Sequence, residues 1–188
     1  MPKVLFTAST YGHLAAFHRP YLQAFRDMGW QVHTAAGGEL RPLPEASWRM
    51  LLPFEKKMTA PANFAAQRQL RELMEQQSYD LICTHTSLAA FFTRRAAAGL
   101  KNRPPLVNMA HGYLFDGSTP VLKKAVLLTA ERLTALQTDL LLTMNRYDYG
   151  EATRCRLGSR VGTFPASAWI SPPWTSPLPL IEWLCGSG

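Results

Sequence analysis

The chain has 188 residues, of which 47% are hydrophobic, 11% aromatic and 18% charged, a make-up that suits one globular domain and excludes a disordered tail protein. Twenty Lys and Arg against 13 Asp and Glu give a formal charge of +7, which favours anionic partners such as phosphorylated metabolites, nucleic acid or an anionic membrane face without choosing among them. Cys83, Cys155 and Cys185 form no CxxC pair, so neither a disulfide framework nor a zinc knuckle is indicated and a reducing cytosol is the simplest compartment.

Met1 leads directly into an apolar run without the basic start and long apolar stretch of an export signal. Lys3 to Ala8 reads as a buried strand ending in the turn cluster Ser9-Thr10-Tyr11-Gly12. Leu14, Phe17, His18, Tyr21, Leu22 and Phe25 then form one stripe of an amphipathic helix that stops at Gly29. Gln31 to Ala36 and Trp48 to Leu52 are expected strands, closed by Gly37-Gly38 and Pro53, and 62 to 77 is an expected helix. Further along, Tyr79 to Thr84 reads as strand, Ser87 to Ala98 as helix and Leu106 to Ala110 as strand. The helix between Ser118 and Gln137 carries an apolar stripe widened by Leu127 and Leu128, which implies burial on more than one side. Asp139 to Thr143 as strand and Tyr147 to Arg156 as helix complete the alternation. Six or seven strands alternating with helices predict an α/β fold with a Rossmann-like, doubly wound parallel sheet.

Ligands of such sheets bind at the carboxyl ends of the strands. The residues there are Gly12 and His13 after the first strand, His85 and Thr86 after the fourth, His111 and Gly112 after the fifth, and Asn145 after the sixth. Gly12 at a strand-to-helix turn would let backbone N–H groups approach a phosphate, with His13 adding a hydrogen bond. His85 and His111 stand at the same level of the inferred sheet and could share one cleft. His18, on a helix stripe, and His33, inside a strand, read as packed or surface histidines outside that site. The chain has no GxGxxG, no GxxxxGK[ST], no GxSxG and no metal-ligand spacing. Its basic pairs Lys56-Lys57, Arg94-Arg95 and Lys123-Lys124 read as solvated faces, so no nucleic-acid track is indicated. Lys123-Lys124 at a surface could rest on anionic lipid. No stretch suits a membrane span.

These residues resemble the N-terminal domain of family 4 glycosyltransferases of the GT-B fold, particularly bacterial cell-surface polysaccharide enzymes. The likeness begins with Lys3 to Ala8, His13 and Ala16-Phe17-His18-Arg19-Pro20-Tyr21-Leu22. Tyr79 to Thr86 is similar to the family's YDIIHCHTP strand end, Asn108 to Phe115 to its AHGFHF loop, and Leu141 to Asp148 to its LITINKEDY segment. The resemblance implies retaining sugar transfer from a nucleotide-sugar donor to a saccharide acceptor, usually lipid-linked, at the cytoplasmic membrane face. It implies a catalytic role for His111 beside the reaction centre and substrate-binding roles for Gly12, His13, His85, Thr86, Gly112 and Asn145, with no metal and no cofactor required.

The resemblance covers residues 3 to about 164. Residues 165–188 hold five of the 14 prolines and three of the five tryptophans, with Glu182 their only charge. They are expected to be a tail distinct from the domain 1–164. Pro165-Ala-Ser-Ala-Trp-Ile-Ser171 can be encoded so that a frame starting at the third base of the Pro165 codon reads Gly-Ile-Gly-Val-Asp-Phe, which is how the family opens its second, donor-binding domain. A frameshift that truncates the enzyme is therefore the expectation, with the chain inactive by itself. Two alternatives stay open: the acceptor-binding subunit of a split glycosyltransferase, and a non-enzymatic phosphate- or lipid-binding module.

Overall fold

The computed structural model describes residues 1–163; the readings of the tail lie outside them. Seven strands, β1 (Lys3–Ala8), β2 (Gln31–Ala36), β3 (Trp48–Leu51), β4 (Leu81–His85), β5 (Leu106–Ala110), β6 (Leu140–Thr143) and β7 (Arg160–Thr163), form one sheet in the order β3-β2-β1-β4-β5-β6-β7. All neighbours are parallel; Val4 pairs with Leu81, Thr7 with Thr84 and His85 with Met109. The order reverses between β1 and β4, the switch point at which crossover loops diverge and leave a crevice. The α/β doubly wound class read from the sequence is the one observed.

Both faces of the sheet are covered, as a parallel sheet requires. Along β1, Val4, Phe6 and Ala8 join Leu14, Leu22, Phe25 and Val32 on one side. Leu5 turns to the other, toward Leu70, Leu73, Ile82, Ala96 and Leu106. The first side is covered by α1 (Tyr11–Phe17) and α2 (Arg19–Asp27), the second by α3 (Pro61–Gln77) and α4 (Ser87–Ala97). The threonine hydroxyls buried between the layers pair with one another: that of Thr7 lies 2.9 Å from those of both Thr84 and Thr93.

Three expectations are corrected. The single helix over Leu14 to Phe25 is two helices, interrupted at His18. Pro20, at the first turn of α2, has no N–H to continue the α1 ladder but fits a new helix start. His18 instead closes α1, donating its N–H to the Leu14 carbonyl at 2.9 Å, and opens α2, its carbonyl accepting from Tyr21 and Leu22.

The helix α5 (Val121–Leu133), followed by a 3-10 turn at Ala135–Gln137, contains no buried residue. Val121, Leu122, Val126 and Leu133 are exposed. The helix is held mainly by polar ties, Glu131 to Arg94 at 2.8 Å and Lys124 to Glu151 at 3.0 Å, with Leu128 the residue that meets the apolar cluster around Leu141. A wide apolar stripe thus did not mean burial.

Those same ties correct the third expectation. Arg94 and Lys124 are not on solvated faces. Arg94 is fully buried, bonded to the Ala90 carbonyl and paired with Glu131, and Lys124 bonds the Tyr147 hydroxyl and lies over the Phe115 ring. No helix of the described residues is long and apolar enough to cross a membrane.

Candidate functional site

Two loops at the switch point are locked together before any site side chain is placed. The Thr86 backbone sits at φ 65° and ψ 136°, a conformation costly for a β-branched residue. Its hydroxyl oxygen accepts the Ser9 N–H at 2.9 Å and lies 2.6 Å from the Ser9 hydroxyl, tying the end of β4 to the end of β1. Thr86, expected to bind substrate, is engaged in holding the crevice in shape.

The loop after β1 is equally constrained. Thr10 caps α1 by accepting the His13 N–H at 3.2 Å, and Tyr11 donates its N–H to Gly37 at 2.9 Å. Gly37 has to be glycine, because a Cβ there would stand 2.8 Å from the Ser9 carbonyl oxygen. Gly12 lies exposed in the first turn of α1, with room around it for a Cβ or a ligand. Since two N–H groups of this turn already have acceptors, the His13 side chain is its main reach into the crevice.

Four histidine rings meet there. His85, at the end of β4 and 3% exposed, stacks on Phe6 with ring centroids 5.7 Å apart and planes 13° apart. The fully buried His18 ring packs on His85 at 3.7 Å. His111, directly after β5, brings Nε2 to 3.5 Å from His85 Nδ1. His13 meets His111 edge-on at 4.8 Å and His18 at 5.1 Å. The expected convergence of His85 with His111 is present, and it includes His18, which sequence reasoning set aside. Its signal was Pro20: the break in the helix is what turns residue 18 out of a continuous stripe. His33 remains apart, bonded to the Tyr79 hydroxyl at 2.9 Å.

Burial dominates the electrostatics. It lowers the His111 pKa to about 4, assisted by the neighbouring His13, and lowers that of His13. His18 and His85 fall well below the usual imidazole value through burial first and mutual repulsion second. The cluster is therefore neutral at pH 7, each ring offering one N–H donor and one lone pair. His13 Nε2 and His85 Nε2 are buried without a hydrogen-bond partner, a state that folded proteins usually reserve for positions with a task.

The loop that carries His111 is set by Gly112 and by Asn145. Gly112 adopts φ 124°, open to glycine, with nothing within 4 Å of a Cβ position. Asn145 caps α6 (Arg146–Cys155): its Oδ1 accepts the Asp148 N–H at 2.8 Å and its Nδ2 donates to Asp148 Oδ2 at 2.7 Å. Asp148 Oδ2 also accepts the Tyr113 N–H at 3.2 Å. Asn145 therefore positions the His111 loop through Asp148, a buried residue that the sequence reading missed although its capping spacing was visible. Although the sequence spacing marks no metal site, folding brings one nitrogen each of His13, His18 and His111 within 4.8 Å of one another.

Residues 21–164 match the family model described as Glycosyltransferase Family 4. The chain belongs to glycosyltransferase family 4. It is 32% identical over 148 residues to the Bacillus subtilis (strain 168) protein named "Putative glycosyltransferase EpsD", a match that takes in 78% of this chain and 39% of the relative. The chain thus spans well under half of that relative's length.

Among solved structures it is similar to sucrose-phosphate synthase of Thermosynechococcus elongatus, with TM-score 0.61, 13% identity, and 88% of this chain over 48% of that one. It is also similar to UDP-GlcNAc 2-epimerase from Neisseria meningitidis bound to UDP-GlcNAc, with TM-score 0.56, 14% identity, and 81% of this chain over 43% of that one. These likenesses establish the fold, the Rossmann-like layer of a GT-B half. The family match begins after His13 and His18, so the family 4 signature itself covers His85 and His111 but not the whole histidine cluster.

Proposed function

We propose that residues 1–164 are the acceptor-side, N-terminal half of a retaining glycosyltransferase that moves a sugar from a nucleotide-sugar donor to a lipid-linked saccharide during cell-surface polysaccharide synthesis. The observation that carries this reading is the crevice at the β1/β4 switch point of a family 4 domain, with His111 at its part-exposed wall beside buried, neutral His85. Departure of a nucleotide diphosphate develops negative charge, which pre-positioned N–H donors stabilise in a poorly hydrated site. His111 is the proposed catalytic donor, and His13 and Gly12 line the approach. His85, Thr86, Gly112 and Asn145 fix the geometry. Donor binding is assigned to a second domain outside residues 1–164; residues 165–188 are assigned to a separate tail.

Attachment to the inner membrane face is assigned to α5, where exposed Val121, Leu122 and Val126 flank Lys123. The chain is assayed for binding of a lipid-linked saccharide and of a nucleotide sugar, and for sugar transfer with and without a separately produced donor-binding domain. Acceptor binding by the chain alone, with transfer only after the second domain is added, is expected. Tight nucleotide-sugar binding or transfer by the chain alone overturns the division of labour.

A further inference from the structure

We propose that the apolar groove between α4 and α5 holds the first isoprene units of a prenyl diphosphate, the lipid anchor of the acceptor; this rests on the acceptor reading given above. The groove has a volume of about 280 Å³, at the low end of small-ligand sites. Leu88 and Phe91 of α4 line it, together with Tyr113 and Phe115, whose rings stack with centroids 4.9 Å and planes 5° apart. Leu127 and Ala130 of α5 close it. Leu127 is one of the two residues that widen the apolar stripe of α5, and it is only part-buried. Hydrocarbon in the groove would complete its burial.

The groups around the groove select a lipid with a phosphate head. Exposed Lys56 stands at its rim, and Ser87, the first residue of α4, also lines it. Thr86 spends its hydroxyl on Ser9 and does not cap α4, so the first N–H groups of this 11-residue helix are open to an anion. The Glu131 carboxylate in the wall is held by buried Arg94 at 2.8 Å, so its charge is spent inside the domain. One narrow groove admits one hydrocarbon chain and excludes a two-chain glycerolipid. Methyl branches fill its width against the aromatic walls better than a straight chain does.

The groove is continuous with the two regions that such an acceptor has to reach. Val126 lines it and also lies on the exposed face of α5 assigned to the membrane, so a chain can enter from the bilayer. Tyr113 follows His111 by two residues, about 7 Å of backbone at most. A diphosphate beside Ser87 therefore leaves space for only a short saccharide before His111. This places the transfer early in assembly, soon after the class of reaction that joins a sugar phosphate to a prenyl phosphate.

The full chain is titrated by calorimetry with farnesyl diphosphate, inorganic diphosphate and the straight-chain dodecyl diphosphate. Saturable one-to-one binding of farnesyl diphosphate is expected, with inorganic diphosphate about 100-fold weaker, as the loss of a few buried CH2 groups requires, and dodecyl diphosphate between them. Since α5 contains no buried residue, Ala130→Trp fills the groove and Leu127→Asp charges it without touching the core. Each should weaken farnesyl diphosphate about tenfold or more with an unchanged circular dichroism spectrum, and Lys56→Gln should weaken it about threefold. Leu133→Ser, on the exposed stripe outside the groove, should leave binding unchanged. Absence of saturable binding overturns the proposal, as does binding that survives Ala130→Trp and Leu127→Asp. Loss of binding in Leu133→Ser overturns it by revealing adsorption to the exposed stripe. Equal affinity for inorganic diphosphate makes the place an anion site, and tighter binding of dodecyl diphosphate removes the prenyl assignment. A chain that binds lipid-linked saccharide but no farnesyl diphosphate loses the groove alone. Farnesyl diphosphate binding, in an enzyme that transfers sugar equally well to lipid-free saccharide, keeps the groove and overturns the acceptor reading.

Discussion

The two ends of the one parallel sheet are built on opposite principles. At the amino end, the starts of β1 and β5 are each fastened by a carboxylate. Asp80 accepts the Lys3 N–H at 2.7 Å, and Asp139 accepts the Leu106 N–H at 2.7 Å while gripping Arg103 through two bonds of 2.6 and 2.8 Å. At the carboxyl end there is no such ion pair among the four histidines. Instead, neutral rings stack, two of their nitrogens are buried without partners, Thr86 holds a positive φ, and Gly112 takes a conformation reserved for glycine. The contrast teaches where this domain places stability and where it places chemistry. Charge-assisted bonds fix the register of the strands at one end, so that the other end can tolerate strain and unpaired polar groups.

The largest effect that would break this contrast is on activity. In the enzyme completed by a donor-binding domain, His111→Ala should lower sugar transfer about 100- to 1,000-fold, with stability changed by less than about 1 kcal/mol. Asp139→Asn should leave transfer within about twofold. Equal kinetic losses in the two variants would erase the division between the ends.

Stability should respond in the reverse sense. Asp139→Asn is expected to cost about 2 kcal/mol in denaturant unfolding, since it removes the charge that Arg103 and the Leu106 N–H share. A loss below about 0.5 kcal/mol would show that the amino-end fastening is decorative.

Gly112→Ala should cost about 1–2 kcal/mol from its backbone conformation alone, because a Cβ meets nothing within 4 Å. A neutral result would mean that the loop relaxes freely and does not hold His111 in place.

The pH dependence sharpens the same point at smaller scale. Burial pushes the Asp139 carboxyl up, but the Arg103 side chain and the Leu106 N–H more than offset it, so its folded pKa lies below the ordinary 3.8. A depressed carboxylate contributes stability that is fully present above its unfolded pKa and is lost as pH falls through the folded one. Unfolding free energy measured between pH 5 and pH 2 should therefore decline less steeply in Asp139→Asn than in the wild type. An unchanged slope would remove Asp139 from the account.

The smallest effect belongs to α5. Val126→Ser should change stability by less than about 0.5 kcal/mol, because the residue is 64% exposed. A large loss would mean that the helix is packed in solution in a way that its exposed stripe denies.

Much of the fold was readable from residue order because local signals agreed. Lys3–Ala8, Gln31–Ala36 and Leu106–Ala110 are apolar runs closed by turn residues, and each is a strand with the bounds that its pattern gives. The helix start at Pro20 was equally legible in principle, yet the period of the apolar stripe from Leu14 to Phe25 outweighed it in the reading. Proline decided the geometry because the missing N–H cannot be restored by favourable packing. On α5, periodicity reported apolar residues correctly, but burial depends on whether another layer is present to meet them.

The site was half legible for a similar reason. Sequence placed His13, His85 and His111 after strands, and a parallel sheet brings such positions to one edge. It could not place His18, whose ring enters the cluster through a helix break, nor could it show that Thr86 and Asn145 direct their side chains into Ser9 and Asp148 rather than outward.

What the amino-acid order determined by itself was the alternation of strands and helices, hence a parallel sheet with its ligand edge known in advance. The family followed from the same order, because motifs at consistent spacing record a shared architecture. Only the tertiary structure decided which side chains share that edge, which are spent on holding it, and how charged each remains. Those properties depend on distances of a few ångströms between residues as far apart in the chain as His13 and His111, and on the water that their packing excludes.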